Sequence, residues 1–175
     1  MPIGADTRVG IIGVGNSYAS DDGAGIRALR LFRELVQDAR VDLKECERGG
    51  MDLLDCLEGL DSAFVLDAAL TGVVPPGEIQ AHTIPAPFTT GACPSLHTLN
   101  LRGLLAFGEA TGMSLPRDVT VLSVEAEDIE TFREGCTPNV ERVLPEVVER
   151  LMKEVRRILP DVCVASSRGD AAMLT

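Results

Sequence analysis

Residues Val9–Gly25, VGIIGVGNSYASDDGAG, decide how this chain folds. Val9, Ile11 and Ile12 form a short apolar run that suits a strand buried on both faces. Gly13-Val14-Gly15-Asn16 breaks the run with residues that tolerate a tight turn. Two acids, Asp21 and Asp22, follow, and Gly23-Ala24-Gly25 leads into a helix. A strand that ends in glycines and opens into a helix puts its loop at the carboxyl edge of an open α/β sheet, where such folds hold their sites.

Outward from that stretch the pattern repeats. Ile26, Leu29, Leu31, Phe32, Leu35 and Val36 recur at helical spacing, with Arg27, Arg30, Arg33 and Glu34 between them. Residues 41–47 alternate as a strand, Arg48-Gly49-Gly50 turns the chain, and Met51, Leu53, Leu54, Leu57 and Leu60 mark a second helix. Ala63-Phe64-Val65-Leu66 reads as a buried strand that ends on Asp67. This succession is that of βαβ units, which predicts a parallel sheet wound right-handed. Residues 78–84 are expected to form an edge strand, followed by an irregular loop from Pro85 to Gly91. Ser95 has the chemistry of an N-cap for a helix running to about Gly112. Residues 119–124 make a last buried strand, and 138–159 a long amphipathic helix. One domain over residues 1–159 is expected, with a patternless, frayed tail over 160–175.

A chain of 175 residues suffices for a core without staples. Acids outnumber bases 27 to 16, for a net charge of -11, so nucleic acid and anionic membrane are poor partners and a cation or basic partner fits better. Cys46, Cys56, Cys93, Cys136 and Cys163 are scattered, without the spacing of a zinc or iron–sulfur site or of a disulfide framework. With no export signal and no apolar run long enough for a bilayer, a cytoplasmic protein is expected.

Nucleotide chemistry fails at its motifs. Gly13 and Gly15 match a dinucleotide fingerprint, but Tyr18 stands where the third glycine belongs, and no P-loop lysine is near. What remains is Asp22 at the end of the first loop, Asp67 at the end of the third strand and His97 in the first turn of the helix after Ser95. Two carboxylates and an imidazole with open positions suit a borderline divalent ion such as nickel, zinc or cobalt. Taken singly, Asp22 also suits a helix start, Asp67 a strand-end turn and His97 a backbone hydrogen bond near its helix start. His82 has no acidic neighbour that singles it out and is expected at the surface. No Ser-His-Asp or Cys-His pairing stands out, although Cys93 lies four residues before His97.

The loop GVGNSYASDDGAG, the strand end VLDA, the segment SLHTLNL and the later run SVEAEDIETFREGCTPNVERVLPEVVERL together resemble the maturation endopeptidases of nickel–iron hydrogenases, from about Val9 to Leu159. The resemblance implies an α/β fold, a three-layer α/β/α sandwich around a mostly parallel twisted sheet of about five strands. It implies removal of a C-terminal extension from a nickel-loaded hydrogenase large-subunit precursor. It also implies metal contact by Asp22, Asp67 and His97. With a metal near the scissile carbonyl, a carboxylate such as Asp22 or Asp67 is expected to serve as the base. The nickel is expected to arrive in the substrate, and zinc or cadmium could occupy the same site. Family members often carry threonine after the Gly-Gly turn, where this chain has Met51. A monomer is expected. Two other readings compete: a non-catalytic nickel-sensing or chaperone-like binding module, and a small-molecule hydrolase or nucleoside-binding protein of the same architecture.

Overall fold

The structure is a computed structural model that describes residues 7–88 and 96–165 and, for residues 96–100, the backbone alone. In chain order the elements are β1 (Val9–Val14), α1 (Ala24–Leu35), β2 (Val41–Cys46), α2 (Met51–Leu57), β3 (Ser62–Ala69), β4 (Ile79–Pro85), α3 (Leu96–Ala110), β5 (Asp118–Glu125) and α4 (Pro138–Ile158), with a 3-10 turn at Ser20–Gly23 before α1. The expected elements are thus all present at the expected places, including β4 at the edge.

The sheet order is β2-β1-β3-β5-β4, with parallel pairing throughout except for the antiparallel edge strand β4. Apolar side chains sort into two cores by strand alternation. Ile11, Phe64, Leu66, Leu122 and Val124 pack under α1 and α4. Ile12, Val65, Val119 and Val121 pack under α2 and α3. Helices on both faces of a parallel sheet explain why its central strands are apolar on both sides. The result is the three-layer arrangement. Leu29 and Phe32 of α1 are fully buried and contribute about 1.5–3 kcal/mol each.

Because α1 and α2 lie on opposite faces, the winding reverses between β1 and β3, and a crevice opens outside their carboxyl ends. Gly25 makes the close approach there possible: a Cβ on it would lie 2.6 Å from the carbonyl oxygen of Val14 and nearer still to that of Leu66.

The segment after α4 departs from the expected fraying as far as residue 165. Leu159 and Val162 are buried, Val164 bridges to Val36, and Ala165 N donates to Leu35 O. Asp38 holds this segment by accepting from Cys163 N at 3.0 Å, while Arg40 links Asp38 to Asp161. Apolar residues at 159, 162 and 164 were too few to show a period, but they suffice to cover the end of α1. Residues 166–175 lie outside the described residues.

Candidate active site

Asp22 lies in the 3-10 turn, Ser20–Gly23, that follows β1. One oxygen, Oδ2, accepts from Asn16 N at 2.7 Å, and the carboxylate makes no other hydrogen bond among the described residues. The turn is shaped by Gly15, whose φ of 123° few other residues adopt and whose missing Cβ would run into the Asp22 carbonyl. Asn16 fixes the same turn again, its side chain accepting from Tyr18 N.

Asp67 lies on β3 one residue past Leu66, the register partner of Gly13, and opposite Ser123 of β5. It continues the row of Ala63 and Val65 that faces α2 and α3. Asp22 and Asp67 therefore leave adjacent strands, β1 and β3, at the same edge of the sheet. His97 is the second residue of α3. The last turn of α3 lies at the amino edge, where Glu109 accepts from Phe88 N and Ser114 O receives Gly59 N. Fifteen residues of helix span about 22 Å, so its first turn stands at the carboxyl edge. The His97 side chain, Ser95 and Cys93 lie outside the described residues.

Asp21, the neighbour of Asp22, does something else. It is fully buried and accepts from Glu127 N (2.9 Å), Asp128 N (3.1 Å), Thr137 N (2.6 Å) and Thr137 Oγ1 (2.9 Å). Its own N–H donates to Asp128 O, and Arg133 adds bonds to Tyr18 O and Ser20 Oγ. Asp21 thus ties the β1 loop to the segment between β5 and α4. Beside it, burial pushes the Cys136 thiol up to about 11, with the charge of Asp21 adding to the effect, so Cys136 is a poor thiolate nucleophile near neutral pH.

An apolar rim surrounds this edge. Tyr18 stacks on Phe132 with ring centroids 6.1 Å apart, and both are exposed. Met51, Leu70 and Val73 are exposed on the segments that follow β2 and β3.

The model of the family described as hydrogenase maturation protease matches residues 29–154. The chain belongs to that family. Its similarity to the hydrogenase 2 maturation protease of Escherichia coli (strain K12) is 28% identity over 153 residues, 85% of this chain and 91% of that protein. Among solved structures, the hydrogenase maturating endopeptidase HybD from E. coli superposes with a TM-score of 0.71 at 26% identity, over 90% of this chain and 96% of that one. The hydrogenase 2 maturation peptidase from Thaumarchaeota archaeon SCGC_AB-539-E09 gives 0.64 at 25% identity, over 85% and 98%. The α/β fold and the protease family expected from the residues both stand. The match to the family model begins after the β1 loop, so Asp22 lies outside it.

Sequence reasoning about this protease passed over Asp21 as half of an acidic pair. The signal was there: consecutive residues in a helical turn diverge by about 100–120°, so only one of two adjacent acids faces a given site. Nothing in the sequence marked Thr137, 116 residues away, as its partner. His82 is half-buried rather than at the open surface, on edge strand β4, two strands away from β3.

Proposed function

We propose that this protease removes the C-terminal extension of a nickel–iron hydrogenase large-subunit precursor once nickel has been inserted. In this reading Asp22, Asp67 and His97 recognise the ion carried by the substrate. The observation that carries it is that Asp22, in the turn after β1, and Asp67, near the end of the adjacent strand β3, lie at the same sheet edge as the switch-point crevice, in a chain of the maturation protease family. Two carboxylates and an imidazole are a fitting donor set for a borderline divalent ion. The ion brought by the precursor supplies charge that polarises a nearby carbonyl or acidifies a water. The chain's own contribution is to position. Asn16 N–H holds one oxygen of Asp22, leaving the other for a ligand or a proton, and Asp67 supplies a second carboxylate for proton transfer. The exposed rim of Tyr18, Phe132, Met51, Leu70 and Val73 supports a polypeptide substrate over a small molecule, since exposed aromatics favour protein contacts. We place the protein in the cytoplasm; no described helix is long and apolar enough to cross a membrane.

The test is mass spectrometry of the precursor incubated with this protease, with and without nickel loading. Loss of a short C-terminal peptide from the loaded sample alone is expected. Loss from both samples refutes recognition through nickel, and a loaded precursor that binds without shortening favours the binding-module reading. Asp22→Ala, Asp67→Ala and His97→Ala are each expected to slow processing at least about 100-fold while remaining folded by circular dichroism.

A further inference from the structure

Two thiols outside the proposed metal-contacting set share the apolar cluster beneath α2. Cys46 is the last residue of β2 and is buried, while Cys56, near the end of α2, is half-buried and packs on the same apolar cluster. Lys44 and Cys46 stand two apart on the strand and so point to one face. That face is the one α2 covers: Lys44 Nζ donates to the Cys56 carbonyl oxygen at 2.8 Å. The two thiols share this apolar cluster, close enough for Cys46 to push the Cys56 thiol up, and both are free. Neither takes part in the chemistry proposed for the carboxylates.

We propose that Cys46 and Cys56 are a disulfide-forming pair that takes a small disulfide, such as oxidised glutathione, as its oxidant. Cys56, open to solvent on one side, reacts first. Its thiolate attacks one sulfur of the small disulfide, the old S–S bond breaks, and one small thiolate leaves and takes up a proton. Cys46 then gives up its proton, and its sulfur attacks that of Cys56 in the mixed disulfide. The second small thiolate leaves and is protonated. In sum, two protein thiols are oxidised, one small disulfide is reduced to two thiols, and the two protons pass to them. Burial holds the Cys56 thiol above its usual range, with Cys46 adding to this and the Lys44 ammonium opposing it. The first step therefore quickens as pH rises.

The location gives the bond a consequence. The Cys46 carbonyl accepts from Gly15 N at 3.3 Å, in the turn that holds Asp22. The disulfide pins the end of β2 to α2 across the Gly49-Gly50 turn, and so stiffens one support of that loop. This pair stands independently of the nickel reading.

The experiment treats the full chain with oxidised glutathione at pH 8, blocks remaining thiols with N-ethylmaleimide under denaturing conditions and maps cross-links by peptide mass spectrometry. A Cys46–Cys56 cross-link in most molecules is expected, absent after dithiothreitol. In Cys56→Ser, Cys46 is expected to carry maleimide or glutathione and no cross-link. Maleimide on both cysteines of the parent chain, glutathione on both without a cross-link, or a cross-link from Cys46 to another cysteine would overturn the proposal.

Discussion

Replacing Asp21 with alanine separates the two adjacent acids by what they hold. The carboxylate accepts four hydrogen bonds, and their partners lie 106 to 116 residues away, so the substitution cuts the β1 loop from the segment that leads into α4. Thr137 is buried, and its N–H, once unpaired, costs about 1–3 kcal/mol. The N–H groups of Glu127 and Asp128 and the Thr137 hydroxyl can turn to water or to each other, so each of those bonds forfeits about 1 kcal/mol. Relief from burying a carboxylate returns part of this, and we expect a net loss of about 3–4 kcal/mol. With a urea m-value of about 2 kcal/mol/M, the unfolding midpoint falls by about 1.5–2 M. Asp22→Asn, which disturbs one backbone contact at most, moves the midpoint by less than about 0.5 M. Urea titration followed by circular dichroism reads both variants side by side. An Asp21→Ala midpoint within about 0.3 M of the parent would falsify the reasoning that this carboxylate joins the two segments.

Other perturbations read other parts of the fold. Gly25→Ala forces α1 away from the backbone of β1 and β3, and is expected to cost about 2–3 kcal/mol and lower Tm by about 5–10 °C; calorimetry showing no change removes the close approach as the reason for this glycine. Asp38 is held well below the usual carboxylate range by the Arg40 guanidinium, helped by backbone N–H groups of Arg40 and Cys163. A depressed folded value means that its stabilisation is complete above the unfolded carboxylate value of about 4 and is lost as pH falls below it. Asp38→Asn should therefore cost about 1–2 kcal/mol at pH 7, with the gap to the parent narrowing below about pH 4 in urea titrations; a gap that stays constant with pH contradicts the pairing. Phe132→Ala and Tyr18→Ala remove exposed rings, so Tm should hold while KM for the precursor rises about tenfold; steady-state processing with unchanged KM would take the rim out of substrate contact.

What could be read from the residues followed from short-range physics. Apolar runs at 9–12, 63–66 and 119–124, separated by helical periods, specify buried parallel strands with helices on both faces, and the glycines of the β1 loop specify where the chain must turn tightly. The residue types at 22, 67 and 97 sufficed to nominate a site at the carboxyl edge, because strand ends and helix starts put them there. Tertiary structure alone decided which of two adjacent acids is structural: Asp21 is identified by Thr137 and Asp128, far along the chain, and no local pattern encodes that meeting. The docking of residues 160–165 also needed the fold, since a few apolar side chains have no period to betray them and gain meaning only where Asp38 and the end of α1 receive them. The same holds for Cys46 and Cys56, whose spacing suggests nothing until β2 and α2 pack face to face. Local sequence fixes the direction in which each side chain leaves the backbone, while the pairing of distant segments determines what it meets.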